Sequence, residues 1–324
     1  MVRKIRIGIL GCANIAKRMV IPNVLNSGLY ELVAISSRSK EKADEFASLF
    51  NCESIIGYEC LLRRPDIELV YIPLPIGLHY EWIMKALSHG KHVFAEKSIS
   101  SNYKEVSEII KLADSKELLV FENFMFPFHS QYRFVKDKIN SNAIGEIKLL
   151  RSSFGFPIFD SESNFRYSKH LGGGALLDAG AYTIMASQFM LGSKQEVVGA
   201  YLTNENREVD FQGSVLLRNQ DGIVSQLAFG FDNFYQNSIE LWGNKGKITI
   251  ERAFTPGPEF TPKIIMEQHG LKSEFSLSPD NHCMNILKKI YNCILGADYK
   301  FMYDTILNQS NLLTRVMELA KVEL

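Results

Sequence analysis

Leu69 to Ser98, LVYIPLPIGLHYEWIMKALSHGKHVFAEKS, restricts the fold more than any other stretch of this chain. A short apolar run (Leu69–Ile72) stops at a Pro-Leu-Pro turn, and an apolar-periodic segment (Leu78–His89) predicts a helix. A second short run (His92–Ala95) then delivers Glu96-Lys97. Two strands joined through a helix run parallel, because a hairpin can only reverse the chain. The crossover puts Lys97 at the carboxyl edge of its strand, where open α/β sheets bind their ligands.

The same texture fills the first third of the chain. Lys4–Leu10 reads as a strand, Ile15–Leu25 as a helix, Tyr30–Ser36 as a strand and Lys40–Phe50 as a helix. After the crossover come a predicted helix (Tyr103–Lys116) and strand (Leu118–Phe121). Such alternation implies parallel strands covered on both faces. From Ile147 the pattern changes to β runs at Lys148–Phe156, Val197–Leu202, Gly213–Leu217, Ile223–Phe231, Ile239–Trp242 and Lys247–Ile250. One predicted helix (Ala175–Leu191) interrupts them, and two more (Asn281–Leu295 and Thr305–Leu324, with Asp304 as N-cap) close the chain. The expected fold is therefore α/β followed by α+β. A doubly wound parallel sheet over residues 1–122 precedes a mainly antiparallel, open-faced sheet over residues 123–324.

Composition excludes several classes. The 36 basic and 36 acidic residues cancel, which argues against nucleic acid or an anionic membrane as partner. Five cysteines without C-x-x-C spacing read as reduced thiols, not as a disulfide frame or zinc site. The seven histidines are scattered singly, and no metal is expected. No apolar run approaches the ~20 residues of a membrane span. A strand pattern that begins at Lys4 leaves no room for a secretory leader, so the cytoplasm is the expected compartment.

After the first strand comes G11-C-A-N-I-A16. Gly11 permits the tight turn, Ala13 stands where a pyrophosphate must approach the backbone, and Ala16 allows close helix–strand packing. With two alanines in glycine positions the motif is weak alone, and a nucleotide-free turn would look similar. Its place at the first strand of a βαβ series is what favours the dinucleotide reading. An NAD site carries an acid at the end of the second strand for the ribose 2′-hydroxyl. Here Ala34 to Lys40 contains none, while Ser37, Arg38 and Lys42 offer donors to a 2′-phosphate. The alternative is a solvated basic helix start. NADP(H) is the favoured cofactor, with NAD(H) as second choice.

Lys97 is either a solvated strand cap or, if buried on the ligand side, a proton donor or carbonyl polariser. A second element, L171-G-G-G-A-L-L-D-A-G-A-Y182, has three glycines that permit close backbone approach. Asp178 and Tyr182 stand at i and i+4 on one predicted helical face. A tyrosine there can give its phenolic proton to a developing alkoxide; the alternative is a buried tyrosine bonded to its aspartate. Tyr132-Arg-Phe-Val-Lys136 matches the Tyr-x-x-x-Lys pair of short-chain dehydrogenases, but no serine precedes it at the needed distance and the match is cheap.

G11-C-A-N-I-A, P73-L-P with His79, G90-K-H-V-F-A-E-K97 and G172-G-G-A-L-L-D178-A-G-A-Y182, in that order, resemble the Gfo/Idh/MocA oxidoreductases over essentially the whole chain. The resemblance implies a Rossmann domain followed by a sheet domain that binds substrate and mediates subunit contact, giving a homodimer or homotetramer. It makes Lys97 the catalytic lysine and puts Tyr182 where many members have histidine. It sets Gly11, Cys12, Ala13, Asn14, Ile15, Pro73, Leu74, His79, Glu96 and Lys97 around the cofactor, with His79 as a turn-stabilising residue. E122-N-F-M-F with H129-S-Q, N164-F-R-Y, F229-G-F-D, L241-W-G-N-K-G and R252-A-F-T-P resemble the nucleotide-sugar 3-ketoreductase branch around its substrate pocket. Phe124, Arg166, Tyr167 and His170 are the candidate substrate residues, an ordinary surface loop being the alternative for the last three. Ser98 stands where relatives have proline, Ile76-Gly77 replaces a more polar pair, and Pro127 a bulkier or basic residue.

The expected reaction is NADPH-dependent reduction of a keto group, at C3, of a nucleotide-activated deoxysugar. Tyr182 is the expected proton donor, Lys97 the carbonyl polariser and Asp178 the orienting group. A free-sugar or trans-dihydrodiol dehydrogenase is the alternative enzyme, and a non-catalytic NADP(H) sensor or scaffold the alternative of another class.

Overall fold

The computed structural model describes residues 3–157, 164–204 and 206–320. The chain forms two compact units. One comprises residues 1–100, 104–123 and 283–306, the other 101–103, 124–282 and 307–324.

The first unit is built on a six-stranded sheet of β1 (Ile5–Leu10), β2 (Tyr30–Ser37), β3 (Glu53–Ile56), β4 (Leu69–Ile72), β5 (His92–Ala95) and β6 (Val120–Glu122). All pairs are parallel and the order is β3-β2-β1-β4-β5-β6. The order reverses beside β1, which makes the carboxyl end of that strand a switch point where dinucleotides bind. Strands β1, β4 and β6 are buried along almost their whole length, as strands covered on both faces must be. α1 (Ile21–Asn26), continued from a π-helical turn at Ala16–Val20, follows β1, and α2 (Lys40–Phe50) follows β2. Ser39 caps α2 by accepting from the Lys42 amide. The crossover helix α4 (Ile76–Ser88) starts two residues before the predicted Leu78, directly after Pro75, whose fixed φ suits the residue before a first turn.

Two elements of this unit escaped the sequence pattern: β3 and α3 (Tyr58–Leu62). β3 is an edge strand with three of its four residues exposed, so it has no apolar run to betray it. α5 (Tyr103–Ser115) matches its expected position. Residues 283–306 come after the second sheet in sequence yet belong to the first unit, so the units are not consecutive stretches of chain. The Tyr30 hydroxyl donates to Leu287 O at 2.6 Å and the Tyr291 hydroxyl to Arg3 O at 2.7 Å. These bonds pin α8 (His282–Gly296) beside the start of the first sheet.

The second unit is an eight-stranded sheet in the order β14-β13-β12-β11-β7-β10-β9-β8. Its strands are β7 (Ile147–Phe156), β8 (Gln195–Thr203), β9 (Gln212–Asn219), β10 (Val224–Phe231), β11 (Gln236–Gly243), β12 (Gly246–Glu251), β13 (Lys263–Gln268) and β14 (Leu271–Ser276). Only β7 and β10 pair in parallel. Side chains alternate across it. Leu150, Phe154, Leu227, Phe229, Ile239 and Leu241 are buried on the face that meets α7 (Ala181–Leu191). Arg151, Tyr201, Gln226 and Trp242 stand on the other face, with Tyr201 65% exposed. The sequence pattern does not predict β13 and β14: the apolar run of β13 is only three residues, Ile264–Met266, and β14 alternates with charged residues. α6 (Ser130–Asn140) was also unpredicted.

The final helix, α9, spans Tyr303–Leu319. Asp304 lies inside its first turn and is not the N-cap; there its charge still complements the helix dipole. The predicted end at Leu324 lies outside the described residues.

Candidate active site

The candidate residues fall on both units, and each group is described within its own. At the carboxyl end of β1, Gly11 has φ +117° and donates its N–H to Ser36 O at 2.9 Å. A Cβ there would come within 2.9 Å of the Leu74 side chain and would meet a backbone conformation that L-residues avoid. The turn thus needs glycine, and the opening it keeps is bordered by the Pro-Leu-Pro segment. Cys12, Ala13 and Ile15 are half-buried and Asn14 exposed along this turn. The Cys12 thiol approaches Lys42 O at 3.4 Å, and burial pushes its pKa up despite a hydrogen bond with Ser37.

Ser37 is buried and accepts from the Ser39 amide at 3.2 Å, while Arg38 and Lys42 are exposed. Two exposed cations and no carboxylate at the end of β2 fit a 2′-phosphorylated dinucleotide better than a free ribose hydroxyl. Tyr58, a residue the sequence gave no reason to single out, belongs to the same cluster. Burial raises its hydroxyl pKa, the Arg38 charge opposes that, and its oxygen lies 3.8 Å from where a Gly11 Cβ would be. Its only sequence signal is the Gly57 turn before it, which follows the unrecognised β3.

Lys97 leaves β5 half-buried, and the peptide between Lys97 and Ser98 is cis. Around this strand end the fold gathers polar groups. Glu96 accepts from the Tyr71 hydroxyl at 2.5 Å and from Asn123 Nδ2 at 2.7 Å. Desolvation raises the Glu96 carboxyl pKa, and those two donors and the Lys97 charge oppose it. His79 is buried on α4, with Nε2 2.7 Å from Leu74 O and Nδ1 2.8 Å from Ser98 O. Burial holds its pKa below the usual histidine value, so the neutral ring donates through one nitrogen. It therefore sits between the turn after β4, which contains buried Pro73, and the peptide after Lys97, and donates to one of the two carbonyls. Glu122, 2% exposed at the end of β6, accepts from the Ile99 amide at 2.9 Å.

Tyr182 lies in the second unit, at the start of α7 and after a π-helical turn at Leu176–Gly180. Its ring stands in an aromatic cage, with centroids 5.4 Å from Phe124, 6.3 Å from Phe126, 5.2 Å from Phe154 and 5.4 Å from Phe254. Phe124, a candidate substrate residue, is thus a wall of the Tyr182 seat and only 2% exposed. Gly180 is required by contact: a Cβ there would lie 2.9 Å from the Phe229 ring.

The glycine run before this helix is explained by its neighbours. A Cβ on Gly173 would strike Arg166 O, and one on Gly174, at φ +114°, would strike the Asp210 carboxylate. Asp210 accepts from the Leu176 amide at 2.6 Å, and burial raises its carboxyl to about 6. It ties down the start of the helix that bears Tyr182 and was invisible in sequence. Asp178 forms an ion pair with Arg166, Nε to Oδ2 2.6 Å. The structure therefore brings Arg166 to Asp178 and stacks Tyr167 on Phe211 at 5.5 Å, while His170 is exposed and bonded to Ser168 at 2.7 Å.

Two motifs take other roles. L241-W-G-N-K-G, expected near the substrate, is the β11–β12 turn at the Ile147 end of β7, away from the Phe154 rung beside Tyr182. Its Asn244 Oδ1 accepts from the Glu146 amide at 3.0 Å, and a Cβ on Gly243 would strike Ile144 O. That turn secures a strand end. Tyr132, of the Tyr-x-x-x-Lys match, is 1% exposed and donates to Ala253 O at 2.7 Å; Lys136 lies 3.7 Å over the Phe189 ring. Both are structural.

Residues 5–124 match the family model described as "Oxidoreductase family, NAD-binding Rossmann fold" (GFO_IDH_MocA), and residues 132–249 match the GFO/IDH/MocA C-terminal domain. The chain is 42% identical over 281 residues to the dTDP-3,4-didehydro-2,6-dideoxy-alpha-D-glucose 3-reductase of Saccharopolyspora spinosa, covering 86% of this chain and 84% of that one. It is 34% identical to the Streptomyces antibioticus protein of the same name, over 98% of both. The crystal structure of KijD10, a 3-ketoreductase from Actinomadura kijaniata in complex with NADP and TDP-benzene, superposes with TM-score 0.96 at 35% identity over 99% of both chains. An aldose-aldose oxidoreductase from Caulobacter crescentus shares the fold at TM-score 0.89 and 20% identity over 98% of both chains. With both family models matched in order, and relatives this similar along nearly their full length, the chain belongs to the Gfo/Idh/MocA oxidoreductase family.

Proposed function

We propose that this protein is an NADPH-dependent ketoreductase acting at C3 of a dTDP-linked deoxysugar. The observation that carries the reading is the match to named 3-reductases, end to end in one case, by a chain that carries Lys97, Asp178 and Tyr182. Residues 1–122 would serve the dinucleotide, with Gly11 to Ile15, Pro73, Leu74 and His79 along it and Ser37, Arg38 and Lys42 on the 2′-phosphate. Residues 123–324 would serve substrate and subunit contact in a cytoplasmic homodimer or homotetramer.

Bound NADPH supplies hydride to the carbonyl carbon. The protein's part is at the oxygen. Lys97 hydrogen-bonds it and stabilises the charge that develops there, and Tyr182 gives up its phenolic proton as the C=O becomes C–OH. The tyrosine regains its proton from solvent between turnovers. Asp178 and Arg166 act as an ion pair that orients Tyr182 and the sugar, with Tyr167 and His170 along the same loop.

The test is loss of reduced-nicotinamide absorbance with dTDP-3,4-didehydro-2,6-dideoxy-glucose generated in situ. D-xylose and a trans-dihydrodiol, each with NADP⁺, run in parallel. Turnover of the dTDP-sugar alone supports the reading. Turnover of only the free sugar or the diol would replace it with the dehydrogenase, and binding without any turnover with the sensor.

A further inference from the structure

Glu122 carries a carboxyl that the proposed reaction leaves unused. Only one of its oxygens is matched. Oε1 accepts from the Ile99 amide at 2.9 Å, whereas Oε2 is fully buried and has no hydrogen-bond partner among the described residues. A desolvated carboxylate with an unmatched oxygen is costly unless a cation faces it. The cation that acts on Glu122 is Lys97, whose charge favours the ionised form. Among the described residues, Glu96 and His79, the other titratable groups at this strand end, supply no positive charge. Glu96 is engaged by Tyr71 and Asn123, and His79, against Ser98 O, is held neutral by burial. Glu122 thus meets the lysine segment twice, through the backbone two residues after Lys97 and through charge.

We propose that Glu122 is a positioning residue for Lys97: Oε1 fixes the Lys97–Ile99 turn, and the carboxylate charge holds the ammonium at the end of β5. This rests on the role given to Lys97 above. Burial raises the Glu122 carboxyl to about 7. Below that pH the carboxyl is neutral and the hold on Lys97 is released; above it the hold is complete. The rate of the reaction therefore rises with pH through about 7 and then levels.

The experiment compares the wild type, Glu122→Gln, Lys97→Met and the double variant, each with kcat, KM, pH profile and NADPH affinity. Glutamine keeps an acceptor for Ile99 and cannot ionise. Glu122→Gln is expected to bind NADPH normally, to lose roughly 10-fold in kcat with little change in KM, and to lose the limb near pH 7. Added to Lys97→Met it should change the residual rate by less than about twofold, since coupled neighbours are non-additive. A collapse in Lys97→Met beside wild-type kcat and an intact limb in Glu122→Gln would overturn the proposal and leave Lys97 in place. Full activity in Lys97→Met would remove the role of Lys97 and this proposal with it. Carboxyl ¹³C NMR of the wild type and Lys97→Met requires no folded Glu122 variant. Coupling predicts that the Glu122 midpoint moves to higher pH when the lysine is gone, and an unmoved midpoint refutes it.

Discussion

Lys97 and Tyr182 are seated by opposite kinds of force. Lys97 stands among polar groups, where Glu96, Asn123 and His79 meet particular donors and acceptors and Glu122 has one oxygen matched. Tyr182 stands among four phenylalanine rings that fix its position by shape and dispersion. The first seat depends on charge and therefore on pH. The second, built of ring contacts, is sensitive to volume. Removing a polar atom should disturb the lysine environment broadly, whereas the tyrosine hydroxyl can be deleted with its ring left in place.

The sharpest way to break this contrast is Lys97→Met, which keeps length and removes charge. Turnover should fall on the order of 10²–10⁴ while the cofactor still binds. Steady-state kinetics with an NADPH fluorescence titration decides it, and full activity would make the lysine structural.

The next test concerns stability. An acid whose folded pKa is raised binds its proton more tightly when folded. That contribution is complete below the ordinary value of 4.5 and is lost as pH climbs to about 7. At about 1.4 kcal/mol per decade of acidity, the loss from Glu122 amounts to about 3 kcal/mol. Glu122→Gln removes the slope, so denaturant unfolding should show the variant gaining on the wild type between about pH 5 and about pH 8. Equal differences at both pH values would contradict the electrostatic account of this seat.

Tyr182→Phe probes the other side. If the hydroxyl is the proton donor, kcat drops roughly 10²-fold with NADPH affinity intact. The fold should survive, because the ring contacts are kept. A rise in KM with kcat preserved would instead mean that the hydroxyl only orients substrate. The smallest effect lies farthest from the chemistry. Arg38→Ala with Ser37→Asp removes donors worth about 1.5–3 kcal/mol each, so the NADPH over NADH preference should shrink at least ~10-fold. An unchanged affinity ratio in a two-cofactor titration would take the 2′-phosphate away from these residues.

What sequence could disclose follows from the same division. The parallel strands were legible because full burial leaves continuous apolar runs, as in Leu69–Ile72, and the crossover helix because its period is regular. β3, with its exposed residues, β13, with only three apolar residues in a row, and β14, alternating with charges, left no such trace. Lys97 and Tyr182 stand in recognisable motifs. Glu122 and Asp210 act through amides 23 and 34 residues away, at Ile99 and Leu176, and no local pattern announces a partner at that range. The pairing of Asp178 with Arg166 was hidden for a related reason. The i, i+4 argument addressed one helical face, and the π-helical turn at Leu176–Gly180 interrupts the regular spacing on which that argument rests.

The position of β7 bears on how the protein is made. The strand ends at Phe156, but its two neighbours begin only at Val224 and Gln236. A nascent chain growing at ~5–20 residues per second therefore carries Leu150 and Phe154 on an unpaired strand for several seconds. All six strands of the first sheet have emerged by then, yet α8, which closes against Tyr30, is still unsynthesised. Neither half of the molecule can finish folding early. Ribosome stalling anywhere between about residue 160 and about residue 220 should yield an aggregation-prone fragment that engages chaperones, and release beyond α8 should free it.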